Sequence, residues 1–115
     1  MKWFFVLLTI LPSIAFCQSE DDYVNQWCND KGQVEYVLPD NTRVDCLMPE
    51  FAVEVDFGHK WAEAIGQSLY YGKMTGRQPA VLLIVKDGNH RFIRRFYNAT
   101  GGLNIRLFTI SYIEP

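Results

Sequence analysis

Histidine and cysteine are both scarce in this sequence of 115 residues, which contains two histidines and three cysteines. Neither His59 nor His90 has the spacing of a zinc ligand, which argues against a histidine-based metal site. The sequence also lacks an apolar run of the about 20 residues that a membrane-spanning helix needs. It has no internal repeat, no low-complexity segment and no linker, and these absences argue against a repeat architecture or a second domain.

The first 17 residues have the features of a cleaved secretory signal peptide. Lys2 supplies a positive start, and a mostly apolar run follows it up to Ala15. Ala15 and Cys17 are small residues at the −3 and −1 positions, which predicts cleavage before Gln18. Acylation of Cys17, as in a lipoprotein, is disfavoured because the bulky Phe16 precedes it, and a retained membrane anchor is the other alternative. We therefore expect an exported protein, periplasmic or secreted.

The remaining residues, 18–115, are enough for one hydrophobic core and too few for two ordinary domains. Two cysteines, Cys28 and Cys46, lie in this segment. In an oxidising compartment such a pair more often forms a disulfide than a metal site, and a zinc site would need further ligands. We therefore expect a single domain in which Cys28 and Cys46 are bridged.

Charge is distributed unevenly along this domain. Residues 18–56 carry ten acidic and two basic side chains, whereas residues 57–115 carry eight basic and three acidic side chains. One interpretation is chance clustering on solvated faces. The other is an acidic cluster that holds cations beside a basic surface that meets polyanions such as nucleic acid.

Hydropathy patterns predict an α/β fold with the element order αβββαβαβ. The nearly continuous apolar run from Ala80 to Lys86 is typical of a strand covered on both faces of a mixed or parallel sheet. We expect four to five strands flanked by helices. The predicted helices are residues 22–30, 60–74 and 89–97, and the predicted strands are residues 34–38, 42–47, 51–57, 80–86 and 104–112.

Three carboxylates fall on adjacent predicted strands. Glu54 and Asp56 alternate with apolar residues and therefore share one face of their strand, and Asp45 lies on the preceding strand. Like charges at this spacing repel unless a cation or a proton lies between them, and Mg²⁺ or Mn²⁺ is the usual partner of such oxygen ligands. The sequence thus predicts a metal site of Asp45, Glu54 and Asp56. The alternative is a set of carboxylates on a solvated hairpin face, which is common.

The order of these residues resembles the PD-(D/E)XK nuclease superfamily. The sequence has Glu35, then RVDCL with Asp45, then AVEVDF with Glu54, then KWAEAIGQSLYY with Gln67 and Tyr71. The Q-x-x-x-Y spacing is similar to that of RecB-like members. This resemblance implies a restriction-endonuclease-like αβββαβ core that cleaves DNA, or RNA, with Mg²⁺. It also implies that Glu35, Asp45 and Glu54 are catalytic and hold the metal, and that Gln67 and Tyr71 position the nucleic-acid backbone.

The resemblance extends over about residues 27–85 and has one departure. Asp56 occupies the position where the superfamily has its lysine, and a carboxylate cannot supply a positive charge to the attacking water or the phosphate. Lys60 is the predicted substitute, because it opens the next helix on the same face as Gln67. Its alternative role is that of an exposed lysine at a helix start. The departure keeps a second function open, that of a non-catalytic exported module that binds nucleic acid or a protein.

Overall fold

The computed structural model describes residues 18–114, so the predicted signal peptide and Cys17 lie outside the described residues. Within this range the predicted order αβββαβαβ is confirmed. No helix in this part of the chain is long and apolar enough to cross a membrane. The elements are α1 (Glu20–Cys28), β1 (Gln33–Val37), β2 (Arg43–Leu47), β3 (Phe51–Phe57), a 3₁₀ turn (Gly58–Lys60), α2 (Trp61–Thr75), β4 (Gln78–Lys86), α3 (Arg91–Thr100) and β5 (Arg106–Tyr112).

Helix α1 begins two residues earlier than the hydropathy pattern predicts, because a capping box fixes its start. The Asp22 N–H donates to Ser19 Oγ at 3.2 Å, and the Ser19 N–H donates to Asp22 Oδ2 at 3.0 Å. These bonds satisfy two backbone donors that a helix start leaves without partners. The helix therefore includes Glu20 as its first residue.

The five strands form one mixed sheet in the order β1-β2-β3-β4-β5. β1, β2 and β3 form an antiparallel meander, and β3, β4 and β5 are parallel. Helices α2 and α3 supply the two crossover connections that parallel neighbours require. β4 lies second from one edge, and its residues from Ala80 to Val85 are buried, as their continuous hydrophobicity predicts.

The helices cover the two faces of the sheet unequally. Val53 and Val55 of β3 pack in one buried cluster with Val24 of α1. Ala52, on the other face of the same strand, clusters with Tyr71 of α2. Because side chains alternate along a strand, the face that carries Ala52 also carries the two carboxylates of β3. Helix α3 packs on that same side through Phe96, which is fully buried.

The predicted disulfide is confirmed. Cys28, the last residue of α1, is bonded to Cys46 of β2, with a Cα–Cα distance of 5.7 Å and both side chains buried. The bridge closes a loop that contains all of β1. It therefore holds the end of α1 against the strand that carries Asp45.

Candidate active site

The site begins where β2 and β3 stop pairing with each other. The two strands pair through residues 46–47 and 52–53. Beyond these paired residues, the Val55 N–H donates to Asp45 Oδ2 at 2.8 Å. The acceptor is therefore a side-chain oxygen of β2 and not a backbone carbonyl. The side chain thus satisfies a backbone donor that the separating strand no longer reaches. This exchange fixes the Asp45 carboxyl group in the opening between the strands.

Asp45 and Glu54 form a carboxyl pair across this opening. Glu54 is 6% exposed, and its carboxyl group lies close enough to that of Asp45 for the two charges to interact. Burial, together with the negative charges of Asp45 and Asp56, raises the pKa of Glu54 to about 10. Burial also raises the pKa of Asp45 to about 6, although the hydrogen bond from the Val55 N–H opposes the change. At neutral pH the pair therefore carries one proton and one negative charge.

Asp56 is the second buried acid of β3 and is 5% exposed. Burial and the negative charge of Glu20 raise the pKa of Asp56 to about 7. The positive charge of Lys60 acts in the opposite direction. When Asp56 is ionised, its Oδ2 atom has no hydrogen-bond donor within residues 18–114. Asp56 is thus a buried carboxyl group that needs a proton or a cation to be satisfied.

Tyr71 approaches the carboxyl pair from α2. Its side chain is buried, and burial together with the charges of Glu54 and Asp45 raises its pKa to about 12. Gln67, one helical turn earlier, is exposed. Lys60 is also exposed and lies just before the first turn of α2, close enough to Asp56 to affect its pKa. The structure thus brings Tyr71 and Lys60 to the carboxylates and leaves Gln67 on the surface of the same helix.

Glu35 lies at the periphery of this site. Its side chain is exposed, and it forms an ion pair with Arg43 at 3.7 Å. Its negative charge nevertheless contributes to the raised pKa of Asp45. Glu35 has a φ of +52°, in the left-handed region that non-glycine residues rarely adopt. The resulting distortion of β1 falls opposite Asp45, where β2 leaves β3.

Glu20 was not among the residues that the sequence pattern singled out. It is half-buried, and its charge raises the pKa of Asp45, Glu54 and Asp56 alike. The Ser19-x-x-Asp22 spacing is a capping-box pattern and would have placed Glu20 at the start of a helix. Its proximity to Asp56 depends on the packing of α1 against the sheet, which local sequence does not encode.

These residues could hold a divalent cation with water and substrate as further ligands. The described part of the chain contains no set of three or more His, Cys, Asp or Glu side chains positioned to hold one ion together. Mg²⁺, however, commonly takes only one or two carboxylates from a protein and completes its shell with waters and phosphate oxygens. The Asp45 and Glu54 pair provides two such oxygen donors once Glu54 loses its proton. The unsatisfied Oδ2 of Asp56 lies on the same face of β3 and fits the same chemistry.

Comparison with known proteins adds nothing to this site, because no protein-family model, curated protein or solved structure matches the chain.

Proposed function

We propose that this protein is an exported Mg²⁺-dependent phosphodiesterase that cleaves DNA or RNA. The observation that carries the proposal is the proximity of Asp45 and Glu54, two acids from adjacent strands whose pKa values are both raised by burial. Such a pair is costly for folding, because both carboxyl groups lose their hydration. Perturbed acids of this kind cluster at functional sites.

The architecture supports the same proposal. A sheet of order β1-β2-β3-β4-β5, with α1 against one face and α2 and α3 against the other, agrees with the αβββαβ core of restriction-endonuclease-like proteins. The disulfide is typical of exported proteins and agrees with the signal peptide predicted for residues 1–17.

The chain's own residues can carry out three tasks. Asp45 is held by the Val55 N–H and presents its carboxylate toward Glu54. Glu54 gives up its proton when a cation binds, so binding and deprotonation are coupled. A bound Mg²⁺ would supply an activated water and stabilise the developing phosphorane charge. Tyr71 stays neutral well above physiological pH, so its phenol can donate a hydrogen bond to a phosphate oxygen.

Lys60 is the proposed source of positive charge in place of the lysine that Asp56 replaces. Its charge already lowers the pKa of Asp56, so its ammonium group lies within electrostatic reach of the carboxyl groups. A four-carbon stem allows that group to approach a phosphate at the cleft. Changing Lys60 to Ala should reduce cleavage by orders of magnitude and leave thermal stability nearly unchanged, because the side chain is exposed. The double change Asp56→Lys with Lys60→Ala should restore part of the activity.

The decisive test is a nuclease assay on the full chain, purified without reductant so that the bridge stays intact. Plasmid DNA, single-stranded DNA and RNA are incubated with EDTA, Mg²⁺ or Mn²⁺. We expect cleavage with the metals alone and its loss in Asp45→Asn. Glu50→Gln is the matched control, because it removes one negative charge from the exposed turn before β3. Equal activity in all three proteins would identify a contaminating nuclease.

The second candidate function is a non-catalytic exported module that retains this fold and binds nucleic acid or a protein. The observation that favours it is Asp56, which puts a buried acid in the place of the superfamily's lysine. Isothermal titration with Mg²⁺ and Mn²⁺ separates the candidates. Metal binding that disappears in Asp45→Asn supports the enzyme, and a folded protein that binds neither metal supports the module.

A further inference from the structure

A pocket lies at the C-terminal ends of the parallel strands. It is an open depression of about 550 Å³ between the end of β4 and the start of α3. Its ionisable lining residues are Lys86, Asp87, His90, Arg91 and Arg94. Lys86, Arg91 and Arg94 outnumber the one carboxylate, so the pocket carries a net positive charge.

The local backbone explains why these side chains converge. Gly88 has a φ of +79°, and the Asn89 N–H donates to the Lys86 carbonyl, which closes a tight turn after β4. The Asn89 side chain then accepts the Arg91 N–H at 3.1 Å and occupies one backbone donor at the start of α3. An anion in this pocket would therefore be held chiefly by side chains.

Two of these cations are available for a ligand. Lys86 forms an ion pair with Glu114 at 3.0 Å. Arg91 and Arg94 form no ion pair within residues 18–114 and are exposed. The Arg91 guanidinium lies over the Phe92 ring, 5.3 Å from its centroid, so its N–H edges remain free to contact phosphate.

A smaller pocket lies between this basic pocket and the end of β3. The smaller pocket, of about 120 Å³, shares Lys86 and Asn89 with the basic pocket, and its other side is formed by residues 57–59, directly after Asp56. Asp56 pairs with Leu83 on β4, three residues before Lys86. With strands about 4.8 Å apart and about 3.3 Å per residue, the Asp56 and Lys86 backbones are separated by about 11 Å. That distance corresponds to about three nucleotides of a stacked strand.

Aromatic rings form part of the lining of this smaller pocket. Phe92 and Tyr112 contribute to its lining, and His59 stacks on Phe57 with an interplanar angle of 17°. Aromatic side chains beside a positively charged groove are typical of surfaces that bind single-stranded nucleic acid. We propose that Arg91 and Arg94 bind backbone phosphates of a single-stranded nucleic acid whose neighbouring nucleotides cross the aromatic pocket to the carboxylate site. The path of the nucleic acid to the carboxylate site rests on the proposed function, whereas its binding to Arg91 and Arg94 requires no metal.

The test is fluorescence polarisation of a labelled 12-nucleotide oligo-dT in EDTA, at several salt concentrations, with the full chain and two double variants. Arg91→Gln with Arg94→Gln removes two charges from the pocket. Lys73→Gln with Arg106→Gln removes two charges from exposed positions at the end of α2 and the start of β5, at the opposite edge of the sheet. We expect only the first variant to weaken binding, and to reduce the slope of log K against log salt by about 1.4, since each phosphate contact on a single strand contributes about 0.7.

The outcomes separate this inference from the proposed function. The inference would be overturned if the two double variants had equal effects or if the pocket variant bound the oligonucleotide as tightly as the wild type. It would also be overturned if the protein bound the matching duplex more tightly than the single strand. If the pocket variant fails to fold, Arg94→Gln alone should reduce the slope by about 0.7. Binding that depends on the pocket in a protein that never cleaves would refute the nuclease alone. Cleavage that the pocket variant performs with unchanged KM would refute this inference alone.

Discussion

The buried Asp56 carboxyl group should make the free protein less stable as pH rises. Its pKa is raised from 3.8 to about 7. Between these values the folded protein keeps a proton that the unfolded chain releases, so the free energy of unfolding falls as pH increases through this window. In Asp56→Asn the side chain stays neutral and this loss disappears. The variant should therefore match the wild type near pH 4 and exceed its stability at pH 8.

The size of the effect follows from the shift. At 1.36 kcal/mol per pKa unit, the rise from 3.8 to about 7 corresponds to about 4 kcal/mol. Screening by solvent reduces this to about 2 kcal/mol. For a domain of this size that amount raises Tm by about 10 °C.

The assay is thermal unfolding followed by circular dichroism in EDTA at pH 4.5, 6 and 8. Glu50→Gln removes a charge from an exposed turn and is the matched control, which should follow the wild type at each pH. A Tm difference between Asp56→Asn and the wild type that is the same at pH 4.5 and pH 8 would refute the reasoning. So would a variant that is less stable than the wild type at pH 8.

Three further predictions concern the bridge and the carboxyl pair. Reducing the Cys28 to Cys46 disulfide, which spans 18 positions, should cost about 3 kcal/mol in the chain-entropy model, and urea unfolding with and without reductant measures it. Asp45→Ala should cost about 1–3 kcal/mol because it leaves the buried Val55 N–H without an acceptor, whereas Asp45→Asn keeps an acceptor oxygen and should cost less, as urea midpoints will show. Mg²⁺ should raise the wild-type Tm more at pH 8 than at pH 5.5, because ligands must lose their protons, and no such increase should occur in Glu54→Gln.

Much of the fold could be predicted from local patterns. Strand β3 alternates apolar and acidic residues, and its observed bounds, Phe51–Phe57, equal the predicted ones. β4 is continuously apolar, and it proved to be a buried strand flanked by parallel neighbours. Both signals are local, because a short stretch of consecutive residues shows whether apolar side chains alternate along a strand or occupy both of its faces. The start of α1 was less accurate, since the Ser19 cap fixed it and periodicity did not.

The site was predictable only in part, for a physical reason. The proximity of Asp45 and Glu54 follows from strand order and from the pairing of neighbouring strands. The hydrogen bond from Val55 to Asp45 depends on where β2 leaves β3, and no local pattern gives that position. The nearness of Glu20 to Asp56 depends on how α1 is docked across the sheet.

The hydrogen bond that holds Asp45 also gives the protein an internal spectroscopic reporter. The Val55 amide donates directly to Asp45 Oδ2, so the electron density around its proton changes when that carboxyl group gains a proton or binds a cation. One cross-peak in an amide NMR spectrum can therefore follow the charge of the site without substrate or activity. Amide exchange at the same position would report how often β2 and β3 open at this point.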